Sequence, residues 1–412
     1  MTLWNPVWKI TIDGIEYQDI TLANLSITSG RTDFLSQPQA GYCNLEIVQL
    51  ENQSLPIKIN SSITIEVQDS SAAYVAIFGG SVSDYVQIVK NAGSKGVITS
   101  MQITALGAIA RLQRGFTYGV LSKDFDGNQI KTVLQDVVSA TWLDVPAATT
   151  WATYPATTTW AQVVGGDIGT IDVGSYELQA RSSDLTNAYS LIAALANSGM
   201  GYIYEDANGL INYADSDHRA DYLSTNGYVD LTGNHALWQG IRNAVRSGDI
   251  MNKIVLSWRS GDKTGSDVTS IAAYGRRESN IITTLHNEVD AIDQVSRYLD
   301  LLANPQPIFD QITFPLTSSE IDDADRDALL GVFMGMPIQI NDLPPNVSLG
   351  QFQGFVEGFS WRVGYNQVFL TLNTSSTANS LRAKRWDQVS ASEYWNTLSG
   401  TLTWEDALGT VA

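Results

Sequence analysis

Apolar and polar positions alternate with a period of two over most of the first 112 residues. WKITIDG, ITLANLSIT, CNLEIVQL, SSITIEVQD, YVAIFGGSVSDYVQIV and GVITSMQITALG are rich in Thr, Ile and Val, and Gly, Asn, Asp or Ser separate them. The pattern predicts roughly six or more short strands, enough for a barrel or sandwich. Asp13-Gly14 and Gly79-Gly80 are expected at turns or bulges. ALGAIARLQRG is expected to close this block.

From residue 113 to 245 the period changes. NQIKTVLQDVVSAT (128–141) places Ile130, Val133, Leu134, Val137 and Val138 at helical spacing. LTNAYSLIAALANSG (185–199) predicts a second helix, capped by Ser183 or Asp184 and ended by Gly199. GYIYEDANGLINYAD (201–215) predicts a hairpin turning at Asn208-Gly209. Residues 246–375 return to strands in MNKIVLSWRSG, PIFDQITFPLTSS, MPIQIND, FQGFVEGFSWRV and QVFLTLNTS. GDKTGSD (261–267) reads as a polar loop. DAIDQVSRYLDLLANP (290–305) predicts a helix with Ile292, Val295, Leu299 and Leu302 on one face, stopped by Pro305. DDADRDALLGVF predicts a short helix with acidic residues at its N-terminus. The expected organisation is 1–112, 113–245, 246–375 and a tail, 376–412, in an α+β, mainly β, fold.

The chain has 412 residues, room for about two to four domains. Hydrophobic content of 44% against 16% charged argues for a folded chain. With 43 acidic and 24 basic residues the net charge is −19, so the chain repels phosphates and is not expected to grip DNA. The acidic surplus has two readings: plain solubility, or a wall along which DNA slides without sticking. Cys43 is the only cysteine. An internal disulfide and a thiolate metal cluster are thereby excluded, and Cys43 is expected as a small buried apolar group. MTLWNPVWKI lacks the basic-then-apolar pattern of a signal peptide. Apolar stretches such as AYSLIAALA (188–196) fall short of the ~20 residues that span a bilayer. The expectation is synthesis in a cytoplasm with no stable membrane insertion.

Of the three histidines, His218, His235 and His286, none has a second histidine at i+4, and neither HExxH nor GxSxG occurs. YADSDHRAD (213–221) gathers Asp215, Asp217, His218 and Asp221. It reads as a divalent-ion site or, as such runs more often are, a solvated turn. KDFDGNQI (123–130) lacks the alternate oxygens and closing Glu of a calcium loop. No catalytic residue, cofactor or metal site is expected, and the chain is read as non-enzymatic. Tryptophan recurs every nine residues in two sets, Trp142, Trp151 and Trp160, and Trp386, Trp395 and Trp404. Each set either packs into a satellite core of its own chain or forms a docking peptide with indole anchors. The tail set favours docking, since little chain remains there to build a core. In ITSGRTDFLSQPQAGYCNLEI (27–47) two strands flank a turn-rich loop. Its Arg31 and Asp33 form either a local turn pair or a pair across a subunit boundary in a ring.

Three segments carry a family resemblance through their order along the chain. The first is SITSGRTDFLSQPQAGYCNLEIVQ, with GR-x-D followed by QP-x-AG. The second is SLIAALANSGMGYIYEDANGLINYADSDHRA, a helix, a hairpin and a polar DxxxR end. The third runs from NKIVLSWRSG through AAYGRRESNIITTL and DAIDQVSRYLDLLA to FVEGFSWRVGYNQVFLTLNTS. Together they resemble the baseplate hub, tail-tip or minor tail proteins of tailed bacteriophages.

The resemblance implies two tail-tube-like β-barrel or sandwich domains with smaller mixed domains between them. It implies a homotrimer that presents six barrels around a lumen and adapts a sixfold tube to a threefold tip. The implied partners are a tail tube or distal tail protein above and a tip, spike or fibre protein below, with genomic DNA passing through unbound. The implied location is the virion tail tip. Two alternatives remain open: a distal tail ring protein, and a host-envelope carbohydrate-binding or hydrolytic tail protein whose aromatic patch (142–160) stacks on sugars.

Overall fold

Residues 4–17, 21–49, 57–91, 97–138, 168–236, 241–347, 350–364 and 367–381 are described by the computed structural model. Both tryptophan sets lie outside these residues.

The alternating first block forms strands as expected. β1 (Trp8–Ile12) and β2 (Ile15–Tyr17) make a hairpin through Asp13 and Gly14, whose φ values of 48° and 77° are the two left-handed residues of a type I′ turn. β3 (Thr21–Gly30), β4 (Tyr42–Gln49), β5 (Ser62–Gln68), β6 (Tyr74–Asn91) and β7 (Val97–Leu106) follow. Ile63, Ile65 and Val67 of β5 are buried, while Ser62, Thr64, Glu66 and Gln68 are not, which is the period of a pleated strand.

The middle of the chain contributes α1 (Ile109–Arg114), β8 (Phe116–Thr117), β9 (Asp124–Phe125), α2 (Asp126–Val138), β10 (Ile168–Ile171), β11 (Glu177–Leu178) and β12 (Thr186–Asn187). After these come α3 (Ala188–Ser198), β13 (Tyr202–Glu205), β14 (Ile211–Ala214) and α4 (His218–Asn226). α3 is capped by Asn187, whose side chain accepts from Ser190 N, and not by Ser183 or Asp184. The chain stays extended through Thr186-Asn187 because these residues pair with β8. The last third supplies β15 (Val229–Thr232), β16 (Arg242–Ala244), β17 (Lys253–Trp258), β18 (Gly261–Ser266), α5 (Val268–Tyr274), β19 (Glu278–Ile282) and α6 (Glu288–Leu302). It continues with β20 (Ile308–Pro315), α7 (Asp323–Leu330), β21 (Pro337–Asn341), β22 (Phe352–Gly364) and β23 (Gln367–Ser376). GDKTGSD is therefore a strand, not a loop: β18 pairs along the whole of β17.

The fold is α+β and mainly β, as expected, but the first and last blocks are not separate barrels. Among the described residues the main sheet runs β16-β20-β23-β22-β3-β4-β7-β6-β5-β1-β2, with β21 on β22 and β15 on β21. β22 is the strand that joins the blocks. Its first half pairs with β21, its second half pairs with β3, and β23 runs along its other edge. The β3 edge that would close the first block on itself is taken by β22, so the pairing stays open at β2 and β16. One apolar core results, with Leu25, Ile27 and Leu45 of the first block beside Phe314, Trp361 and Leu370 of the last.

A second core departs from the expected boundary at residue 245. Ile130 and Leu134 of α2, Ile192 of α3 and Ile203 of β13 share it with Leu256 of β17, Leu285 and Val295 of α6. The apolar face of α6 packs on β17 and β18, with Val295 and Leu299 against Gly265, and it is that unit which shares a core with the middle block. Ile292, expected on this face, is exposed instead.

Gly79-Gly80 is neither a turn nor a bulge: the register of β6 slips at Ile77 and Ser83 instead. Both residues lie within β6, and the tip of the β13–β14 hairpin presses on them: a Cβ on Gly79 would lie 2.4 Å from the Asn208 carbonyl carbon. Glycine within a strand marks such close backbone approach. The same holds at the β3–β22 seam, where a Cβ on Gly358 would lie 2.5 Å from Arg31 O and 2.8 Å from Arg31 N. Gly358→Ala is expected to lower the unfolding free energy by about 1–3 kcal/mol. Gly364→Ala, in the same strand with nothing within 4 Å, should stay within about 0.5 kcal/mol of the parent. Urea denaturation of both variants measures the contrast, and equal stabilities would contradict the close seam.

Candidate functional site

β22 changes partner from β21 to β3 at one residue, and that residue is Glu357. The β22–β23 register slips between Val356 and Gly358, which leaves Glu357 as the extra residue of a bulge. On the facing strand Gly30 has φ 84°, a conformation that suits glycine, and Arg31 N donates to Glu357 O at 2.8 Å. The bulge turns the Glu357 carboxylate into the protein, where its side chain is 3% exposed.

Two buried guanidiniums meet it. Arg31 donates from Nε to Oε2 at 2.7 Å. Arg219 donates from Nη1 to Oε1 at 2.7 Å and from Nη2 to Oε2 at 2.9 Å, the two-pronged geometry that suits a carboxylate. Ser375 Oγ donates to Oε1, and Ser380 Oγ accepts from Arg219 Nη1 at 2.8 Å. The Tyr202 ring lies against both cations, 5.1 Å from Arg31 and 4.7 Å from Arg219. Burial pushes the Glu357 carboxyl upward, but the charges of Arg219 and Arg31 outweigh it and hold the group well below the usual carboxylate range.

The turn before α4 positions Arg219. Asp215 accepts from Asp217 N at 3.0 Å and His218 N at 2.9 Å, which ties down the turn that opens the helix, whose N-cap residue Asp217 makes no capping bond of its own. Asp172 pairs with His218 Nδ1 at 2.7 Å and accepts from Asp215 N at 3.1 Å, and Arg297 of α6 pairs with Asp217 at 2.9 Å. The acidic run at 213–221 is thus a braced helix start, a role that neither sequence reading gave it. The three segments that carried the family resemblance converge here: GR-x-D supplies Arg31, DxxxR supplies Arg219 and FVEGF supplies Glu357.

Arg31 and Asp33 are not partners. Arg31 turns inward, and Asp33 stays exposed, where its Oδ1 accepts from Leu35 N at 3.0 Å. The local pair expected for Arg31 is corrected: the buried carboxylate of Glu357 offers it a partner out of water. Trp386, Trp395 and Trp404 lie outside the described residues.

Two further carboxyls tie the middle block to its surroundings. Glu205, at the end of β13, accepts from Gly41 N and from Ile109 N (3.1 Å) at the start of α1. Burial pushes it up to about 7. Asp126, fully buried at the start of α2, accepts from Tyr213 Oη and from Tyr176 N (3.0 Å), and burial pushes it up to about 6. His235, Asp322 and Asp325 place potential ligand atoms within 4.8 Å of one another. His235 Nδ1 already pairs with Asp325 at 2.7 Å, and Asp322 caps α7 by accepting from Asp325 N at 2.8 Å. Cys43 is buried, as expected, and burial pushes its thiol up.

No protein-family model matches the sequence, and no curated protein matches it. Solved structures do. A tail protein from Neisseria meningitidis superposes with a TM-score of 0.58 at 12% identity, over 92% of this chain and 99% of that one. A 43 kDa tail protein of prophage MuSo2 from Shewanella oneidensis gives 0.49 at 12% identity, over 90% and 98%. A prophage tail protein from Listeria monocytogenes gives 0.47 at 10% identity, over 90% and 94%. The chain has the fold of the Neisseria tail protein along nearly its whole length.

Glu357→Gln leaves two guanidiniums buried without a counter-charge and is expected to cost about 3–5 kcal/mol. The triple replacement Arg31→Met, Glu357→Leu, Arg219→Met should recover most of that loss, as chemical denaturation of the two variants would show. Asp126 and Glu205 act in the opposite sense to Glu357. Their folded-state affinities for protons exceed those of the unfolded chain, so their contribution is present at low pH and is lost as pH rises through about 6 and about 7. The double variant Asp126→Asn, Glu205→Gln should therefore show a flatter stability profile between about pH 4 and 7 than the parent. Urea midpoints across that range provide the comparison.

Proposed function

We propose that this chain is a structural component of a phage tail, a baseplate hub in which three copies form a ring around the path of the DNA. The observation that carries this reading is the match to the Neisseria tail protein over 92% of this chain and 99% of the other. A correspondence of that extent includes both β blocks and the units between them. In this chain the two blocks are already joined edge to edge through β3 and β22. Three such chains would set six β blocks around one axis, the number needed to meet a sixfold tube on one side and a threefold tip on the other.

The edges of the main sheet bear on contacts between copies. The terminal strands β2 and β16 are only three residues long, which leaves little free edge for indiscriminate pairing. β6 by contrast runs on past the end of β5, and its overhang carries exposed Tyr85, Val86 and Val89. Such an overhang suits an edge-on neighbour. Asp33 stays a candidate for the ring boundary, whereas Arg31 serves the boundary inside the chain. The charge of −19 suits a lumen through which DNA slides. A shape-and-symmetry role calls for no catalytic residue or cofactor, and the chain is read as non-enzymatic. No helix among the described residues is long and apolar enough to cross a membrane.

The test is to image tail particles assembled with and without this chain and to count copies. Three copies at the distal end, with threefold symmetry, are expected. Six copies would favour the distal tail ring reading, and absence from mature particles would overturn both.

A further inference from the structure

A patch of large apolar side chains faces water at the start of the middle block. Phe116, Tyr118 and Val120 stand at alternate positions and are 67%, 63% and 65% exposed. Leu185, 58% exposed, adjoins them. Asn187 pairs with Phe116, and Asp184 N donates to Tyr118 O. Single exposed apolar residues are ordinary, but four on two adjoining segments form a surface.

This surface is rigid. Arg181 donates to the carbonyl oxygens of Tyr118 (2.8 Å), Gly119 (2.9 Å) and Asp184 (2.9 Å). Leu121 and Arg181 exchange both backbone hydrogen bonds, at 3.0 and 2.9 Å. Thr117 Oγ1 accepts from Gly119 N at 2.9 Å and donates to Asp136. A loop pinned in this way loses little conformational freedom when something binds it. Residues 109–123 contain Arg111, Arg114 and Lys123 and no carboxylate, while Lys123 pairs with Glu177 and Arg181 with Asp184 at the edge of the patch.

We propose that this surface is the docking site for the tryptophan segment of the chain's own tail, residues 386–412. The segment carries Trp386, Trp395 and Trp404 together with Asp387, Glu393, Glu405 and Asp406, and it contains no Lys or Arg. An acidic peptide with indole anchors suits an apolar surface flanked by Arg111 and Arg114; the basic run Arg382, Lys384 and Arg385 lies just outside the segment. The other tryptophan stretch, 142–160, has one charged residue, Asp144, and lacks that complementarity. Reach is no obstacle. Residues 382–412 follow the last described residue, Leu381, and that length of chain extends to about 100 Å. A globule of this size has a radius of gyration of about 22 Å. The tail can therefore meet the patch of its own chain or, in the assembly proposed above, that of a neighbour. Only the second route rests on that assembly.

The test places the photo-crosslinker benzoylphenylalanine at Tyr118 in the full-length chain and, separately, at Phe116. Light- and heavy-isotope chains are mixed, irradiated and digested. Crosslinks from both positions to peptides within 386–412 are expected. The combined variant Trp386→Ala, Trp395→Ala, Trp404→Ala should cut their yield at least about tenfold, the effect of losing a single hot-spot anchor. Crosslinks that fall elsewhere, including 139–167, or that persist in the triple variant overturn the proposal, as does the absence of crosslinks. Light–heavy pairs place the docking between copies. Tail crosslinks confined to single chains uphold the docking site within one chain and leave the ring to be decided by the copy count.

Discussion

The buried carboxylate of Glu357, held between Arg31 and Arg219, is the contact on which the arrangement of the parts depends. It sits where β22 exchanges one partner strand for another, so it belongs to both halves of the main sheet. Arg31 comes from the end of β3 and Arg219 from the first turn of α4, so the same group also fixes the middle block against the sheet. Charges brought this far out of water are not a cheap source of stability, since apolar residues of like volume often serve as well. They do penalise every arrangement in which one partner is missing. A junction among three units is a place where such selectivity has value.

The seam around the triad follows from glycine. Gly30 and Gly358 face each other across the β3–β22 ladder, and neither site has room for a Cβ. Close backbone approach and the bulge at Glu357 are one device: removing side chains from the seam lets the extra residue turn its carboxylate inward. Glu205 repeats the scheme on a smaller scale, with Gly41 and Gly107 leaving room for its carboxylate between β4 and α1. In both places a carboxylate bridges units whose backbones touch.

The local pattern of the sequence carried much of the fold. The period-two blocks, the Asp13-Gly14 turn and α2, α3, α6 and α7 are all encoded by neighbours in sequence. Gly79-Gly80 misled because a glycine pair signals a turn and a close approach alike, and the sequence does not say what presses on it. The grouping of residues 253–302 with the middle block was hidden because a helical stripe reveals that a face is buried, not against what. The triad was hidden for a related reason. Arg31 and Glu357 are 326 positions apart, and an arginine beside a turn aspartate has a plausible local partner. All three residues lay within the segments singled out for their family resemblance, whose common trait proves to be their meeting point.

That separation has a consequence for how the chain is made. At a synthesis rate of about 5–20 residues per second, Glu357 leaves the ribosome roughly 15–65 s after Arg31. Throughout that interval the edge of β3 has no β22 to pair with, and the nascent chain presents an open ladder beside a cation without its counter-ion. Any β22 already released from another polysome would fit that edge as well as the chain's own. Exchange of the C-terminal third between nascent chains is thus the misfolding route this topology invites, one that a lower local concentration of chains or a holding chaperone would suppress.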